Sequence, residues 1–65
     1  MTRDEALEAV AKIASLVDDD EVAHSMEDNL RGAFIEYAAE LPGELGEIAK
    51  IVLSTDALNF CRWYA

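Results

Sequence analysis

Helix breakers are scarce in this sequence: one proline, Pro42, and three glycines, at 32, 43 and 46, interrupt 65 residues. Between them, apolar side chains recur at three- and four-residue spacing, the mark of amphipathic helices. Alanine and leucine lead the apolar residues, and both favour helix. The pattern argues against a β-sandwich or barrel. It predicts an all-α fold, a compact bundle of about four short helices within a single domain over residues 1–65. A chain this short buries only about 60% of its unfolded surface, so its stability margin is thin. Cys61 is the only cysteine, and no Cys/His cluster is spaced to hold structural zinc. The core must come from helix packing alone, or from packing aided by a partner.

Local signals divide the chain. Thr2 reads as an N-cap, with Glu5 three residues on completing a capping box. Helix 1 is predicted over about residues 3–17, with Leu7, Val10, Ala14 and Val17 on one stripe and Ala6 and Ile13 widening it. Asp18, Asp19 and Asp20 end it. Helix 2 is predicted from about Met26 to Glu40, entered at a Ser25 cap or running unbroken from about Asp20. Its apolar face is Met26, Leu30, Ala33, Phe34, Tyr37, Ala38 and Leu41. Gly32 inside it implies a close helix crossing. Pro42-Gly43 ends it. Helix 3 is predicted over Glu44–Leu53, with Leu45, Ile48, Ala49 and Val52 inward. Ser54-Thr55-Asp56 signals a helix 4 from Ala57 to about Trp63. Leu7, Val10, Leu30, Phe34, Tyr37, Ile48, Val52 and Phe60 should be mostly buried.

Net charge is −9, from 14 acidic and 5 basic residues. Phosphate binding needs clustered Lys and Arg, so direct binding to nucleic acid or an anionic membrane is disfavoured. A basic protein surface is the natural complement. Acidic charge also simply keeps small proteins soluble. Met1-Thr2-Arg3-Asp4-Glu5 lacks a signal-peptide pattern, and no apolar run reaches membrane-spanning length. With one free thiol, this suggests a reducing cytoplasm.

Catalytic constellations find little support. His24 and Glu27 form an H-x-x-E pair, too few ligands for a metal site; the plainer reading is that His24 caps or packs at the start of helix 2. Ser25 adjoins His24 in sequence, and adjacent helical residues do not face each other. Cys61, between Phe60 and Arg62-Trp63, reads as a buried core thiol. Trp63 or Tyr64 is expected to fold over the core, the alternative being an interface anchor. No catalytic, cofactor-binding or metal residue is assigned, and no enzyme activity is expected. The acidic residues are the candidate site: Asp18, Asp19, Asp20 and Glu21, with Glu27, Asp28, Glu36 and Glu40 as partner-binding groups. Carboxylates four apart on a helix stand about 6 Å apart along its axis, a spacing near that of phosphates along one DNA strand. The ordinary alternative is a solvated helix face.

The stretch Asp19-Asp20-Glu21-Val22-Ala23-His24-Ser25-Met26-Glu27-Asp28-Asn29-Leu30-Arg31 resembles a recurrent segment of small acidic phage and prophage proteins. So does the ending Leu53-Ser54-Thr55-Asp56-Ala57-Leu58-Asn59-Phe60-Cys61-Arg62-Trp63-Tyr64-Ala65. The two blocks cover more than a third of the chain and carry no known catalytic residues. Proteins of this size and charge include anti-CRISPR proteins that imitate DNA. The resemblance implies a host-inhibitory binder acting in the cytoplasm of an infected or lysogenic bacterium. Its partner would be a basic nucleic-acid-binding host protein, in concrete form a CRISPR DNA-recognition subunit, with the chain itself a monomer. The other reading is a small interaction module, antitoxin-like or homo-oligomeric, docking through apolar helix surface such as Leu16, Ile35 or Trp63. A helix-turn-helix around Pro42-Gly43 is disfavoured by Glu40, Glu44 and Glu47.

Overall fold

The computed structural model describes residues 1–60. Its described elements are all helical: α1 (Arg3–Ala14), α2 (Asp20–Ala39) and α3 (Glu44–Leu53), followed by a 3₁₀ turn over Ser54–Ala57. The fourth helix expected from Ala57 to about Trp63 is not helical over residues 58–60; the 3₁₀ turn takes the expected capping stretch instead, and the rest of that range lies outside the described residues. Cys61, Trp63 and Tyr64 lie outside them.

The ends of the helices follow local chemistry. Glu5 donates its backbone N–H to Thr2 Oγ1 at 3.1 Å, and Thr2 donates its own to Glu5 Oε1 at 2.7 Å, closing the capping box. Helix α1 stops at Ala14, three residues earlier than expected. Ser15 donates its hydroxyl to the Lys12 carbonyl, a local bond that competes with helix continuation. Asp19 then caps α2, its Oδ1 accepting from Val22 N at 3.2 Å. That cap resolves the alternatives at residues 20–25: one helix runs from Asp20, and Ser25 lies inside it. At the other end, Gly43 takes φ 93°, a region that disfavours a side chain, and α3 occupies its expected range.

Five residues join α1 to α2 and four join α2 to α3. Such short connections produce helical hairpins, so α1 and α3 both run against α2 and flank it. The result spans 39 × 33 × 10 Å. Two helix layers stacked at an interaxial distance of 8–10 Å would measure about 13–15 Å between outer backbones, allowing for a Cα radius of about 2.3 Å. At 10 Å the molecule is one layer thick. Its radius of gyration is 13.7 Å, against about 11 Å for a compact 65-residue domain. All-α is the fold, with three helices and a 3₁₀ turn among the described residues and a looser packing than a compact bundle of four.

One layer cannot enclose large side chains. Among the described residues the buried side chains are Ala38, Ala39 and Ala49, with Ile35 and Leu53 packed against them. Ala38 and Ala49 lie on the apolar faces expected of them, but of the eight large side chains expected to be mostly buried only Leu30 is even half-buried. Leu7, Val10, Phe34, Tyr37, Ile48, Val52 and Phe60 are exposed. Fully burying one such side chain contributes about 1.5–3 kcal/mol, and ordering each residue costs about 1.5 kcal/mol. A core of three alanine methyls is small against that cost.

The close crossing also differs from expectation. A Cβ built on Gly32 meets nothing within 4 Å. On Gly46 it would strike the Leu41 carbonyl oxygen and lie 3.4 Å from that of Ala38. Gly46 is therefore the residue that lets α3 press against the end of α2.

Candidate functional site: two faces of one layer

The apolar residues of each outer helix form two stripes. In α1 the stripe toward α2 is Ala6, Ala9 and Ile13, all half-buried, continued by Leu16 in the turn. Leu7, Val10 and Ala14 are exposed and stand about 100° further round the axis, at 100° per residue. In α3 the stripe toward α2 is Gly46, Ala49 and Leu53, and Leu45, Ile48 and Val52 are exposed. These stand about 100° away in the opposite rotational sense. The two helices run in the same direction on opposite flanks of α2, so opposite rotations carry both stripes to the same face. On α2, Phe34 lies between Leu30, on the side of α1, and the buried Ala38, on the side of α3. It therefore joins that face. Exposure is high throughout: Leu7 54%, Phe34 56%, Leu45 64% and Ile48 49%.

The other face is polar and mostly acidic. It carries Glu8 and Lys12 from α1, Glu36 and Glu40 from α2, and Glu47 and Lys50 from α3. Lys50 Nζ lies 3.9 Å from Glu47 Oε1. A shallow groove between α1 and α2, lined by Ala9, Lys12, Ile13, Met26, Asn29 and Leu30, opens on this side.

The eight candidate carboxylates do not form one patch. Asp18 and Asp19 sit in the α1–α2 turn; Asp20 and Glu21 occupy the first turn of α2, where the helix dipole favours negative charge. Glu27 lies 3.5 Å from Arg31 Nη2. Asp28 lies 3.2 Å from His24 Nε2, so His24 pairs along its own helix. Positions four apart drift about 40° round a helix, so the row Asp28, Glu36, Glu40 winds across about a third of the circumference. Glu27 and Glu36, nine residues apart, fall on opposite sides of α2. The structure brings together the four acids at the turn, and separately Glu36 and Glu40 on the polar face. Glu5, outside this set, is the acid whose pKa is pushed below its ordinary value of 4.5, first by the Thr2 backbone N–H and then by the Thr2 hydroxyl.

The apolar docking surface expected at Leu16, Ile35 or Trp63 falls elsewhere. Leu16 and Ile35 are half-buried, with Ile35 against the alanine core, and Trp63 lies outside the described residues. The exposed stripe is one the sequence pattern assigns to the core. The apolar arc of α1, from Leu16 round to Leu7, covers about half the helix circumference, more than one neighbour can bury. Among the described residues, no group of three or more His, Cys, Asp or Glu is placed to hold a metal ion, and no helix is long and apolar enough to cross a membrane. No protein-family model, curated protein or solved structure matches the chain.

Proposed function

We propose that this chain is a non-catalytic interaction module that docks through its apolar face. One observation carries the reading. Leu7, Val10, Phe34, Leu45, Ile48 and Val52 stand exposed on one side of a layer only 10 Å thick. Exposed large apolar side chains gathered on one face mark an interaction site. Site-specific photocrosslinking in cells tests it, with the crosslinker at position 48 on the apolar face and at position 36 on the polar face. Docking through the apolar face yields a discrete adduct from position 48 and none from 36. An adduct from 36 alone overturns the reading.

A second reading is favoured by the carboxylates on the opposite side. In it, the chain is a phage-type host inhibitor that presents acids to a basic, nucleic-acid-binding protein groove. The concrete version is an anti-CRISPR protein that blocks target-DNA recognition by a surveillance complex. Asp18, Asp19, Asp20, Glu21, Glu27, Asp28, Glu36 and Glu40 are its candidate contacts, now divided between the turn and the two sides of α2. Exposed ion pairs contribute only about 0–1 kcal/mol each, so several must act together. Replacing Asp19, Asp20, Glu36 and Glu40 together by Asn or Gln should abolish inhibition of target-DNA binding. Wild-type inhibition should weaken as salt rises. Inhibition retained at full potency by the quadruple variant rejects acidic mimicry.

A further inference from the structure

We infer that the occupant of the apolar face is a second copy of this chain, stacked face to face in a symmetric dimer. The inference rests on the apolar-docking reading and names its partner.

Thickness comes first. Helical domains bury their stripes between at least two packed layers. This chain supplies one layer, with Leu7, Val10, Phe34, Leu45, Ile48 and Val52 on a single side. A second copy supplies the missing layer with the same six side chains. A self-complementary patch is what a two-fold interface requires.

Area comes next. A face measuring 39 × 33 Å offers on the order of 1,000 Å², and a standard interface takes about 800 Å² from each partner. One face per copy is large enough to hold an interface of standard size.

Charge at the face itself does not oppose a second copy. The six apolar positions include no ionised group that would recognise an oppositely charged surface. Glu27, toward the same side of α2, is already paired with Arg31. Glu8, Glu36, Glu40 and Glu47 sit on the opposite side. Asp20, fourteen residues before Phe34 and so about 40° from it round α2, is the carboxylate that stacking brings toward the partner, at the N-terminal end of the helix; the acidic faces stay outward. The remaining repulsion between two chains of net charge −9 acts at longer range and is screened by salt. The dimer should thus tighten as salt rises, opposite to acidic docking.

Sedimentation of the full chain across a wide concentration range is the test, with Val10→Glu, Ile48→Glu and Glu36→Gln beside the wild type. The wild type and Glu36→Gln should sediment at twice the chain's mass of 7.2 kDa. Val10→Glu and Ile48→Glu should either sediment as monomers or lose helical circular dichroism on dilution, since folding and association are coupled. A fully helical wild-type monomer at every concentration would overturn the dimer, as would a dimer unaffected by both glutamates. The crosslinking experiment then separates the two claims. A monomer that still yields an adduct with another protein from position 48 keeps the docking face and loses the second copy. A monomer with no adduct from 48 loses both.

Discussion

Where α3 crosses the end of α2, the buried residues are small: Gly46 and Ala49 against Ala38 and Ala39, with Ile35 and Leu53 packed at the edge. Where α1 lies along the first half of α2, the residues between the helices are larger, with Ile13, Met26 and Leu30 beside Ala9. The first pair buries its alanines; α1 has no buried residue. Small side chains can be enclosed by one neighbouring helix, because the backbones themselves approach and close over them. Long ones need neighbours above and beside, and a single layer gives them only the neighbour beside. The two helices are also held at different places. Helix α1 has a complete capping box, while α3 starts at Gly43 without a side-chain cap. Local bonds hold α1, and close packing holds α3.

Gly46→Ala should break this contrast most strongly. The added methyl falls on the Leu41 carbonyl, a backbone atom that cannot rotate aside. Overpacking of this kind costs about 1–3 kcal/mol, read as a lower midpoint in urea denaturation. Thr2→Ala attacks the other side of the contrast. It removes the cap that α1 relies on and should cost about 1 kcal/mol, with fraying of residues 3–6 visible in amide exchange. Gly32→Ala should instead stabilise by about 0.5–1 kcal/mol, the helix-propensity difference, since open space surrounds the new Cβ. Opposite signs at two helical glycines would show that the crossing at Gly46, not helix propensity, sets the α2–α3 contact.

The smallest effect is a pH dependence confined to α1. Hydrogen bonds from Thr2 hold the Glu5 pKa below 4.5. A carboxylate with a lowered folded pKa adds stability above its unfolded value and loses it as pH falls through the folded one. Below the ordinary carboxylate range, the Thr2 and Glu5 amides should therefore lose exchange protection. In Thr2→Ala the acid-dependent loss should shrink, since its partner hydroxyl is gone.

Much of the helical framework was legible because it is written in short-range chemistry. Thr2 and Glu5 announced α1, Pro42-Gly43 ended α2, and α3 fell where its periodicity put it. The misreadings share one cause: periodicity tells which residues are apolar, not how many layers will cover them. Leu7, Val10, Ile48 and Val52 form regular stripes, yet face outward, because Ala6, Ala9, Gly46 and Ala49 form parallel stripes that make the helix contacts. Gly32 and Gly46 looked alike in sequence, and only the path of α3 distinguishes them. The candidate acids were legible as a charge excess. The cap at Asp19 puts Asp18 and Asp19 in the turn and Asp20 and Glu21 in the first turn of α2, and the rotation of about 100° per residue puts Glu27 and Glu36 on opposite sides.

The central claim is that one helical layer is completed by a second copy across its apolar face. Thermal unfolding followed over a series of protein concentrations tests it most directly, because ligation by an identical chain makes the midpoint depend on concentration. The account predicts a single cooperative transition whose Tm rises steadily with concentration and rises further with added salt. A cooperative transition with a Tm independent of concentration would contradict it.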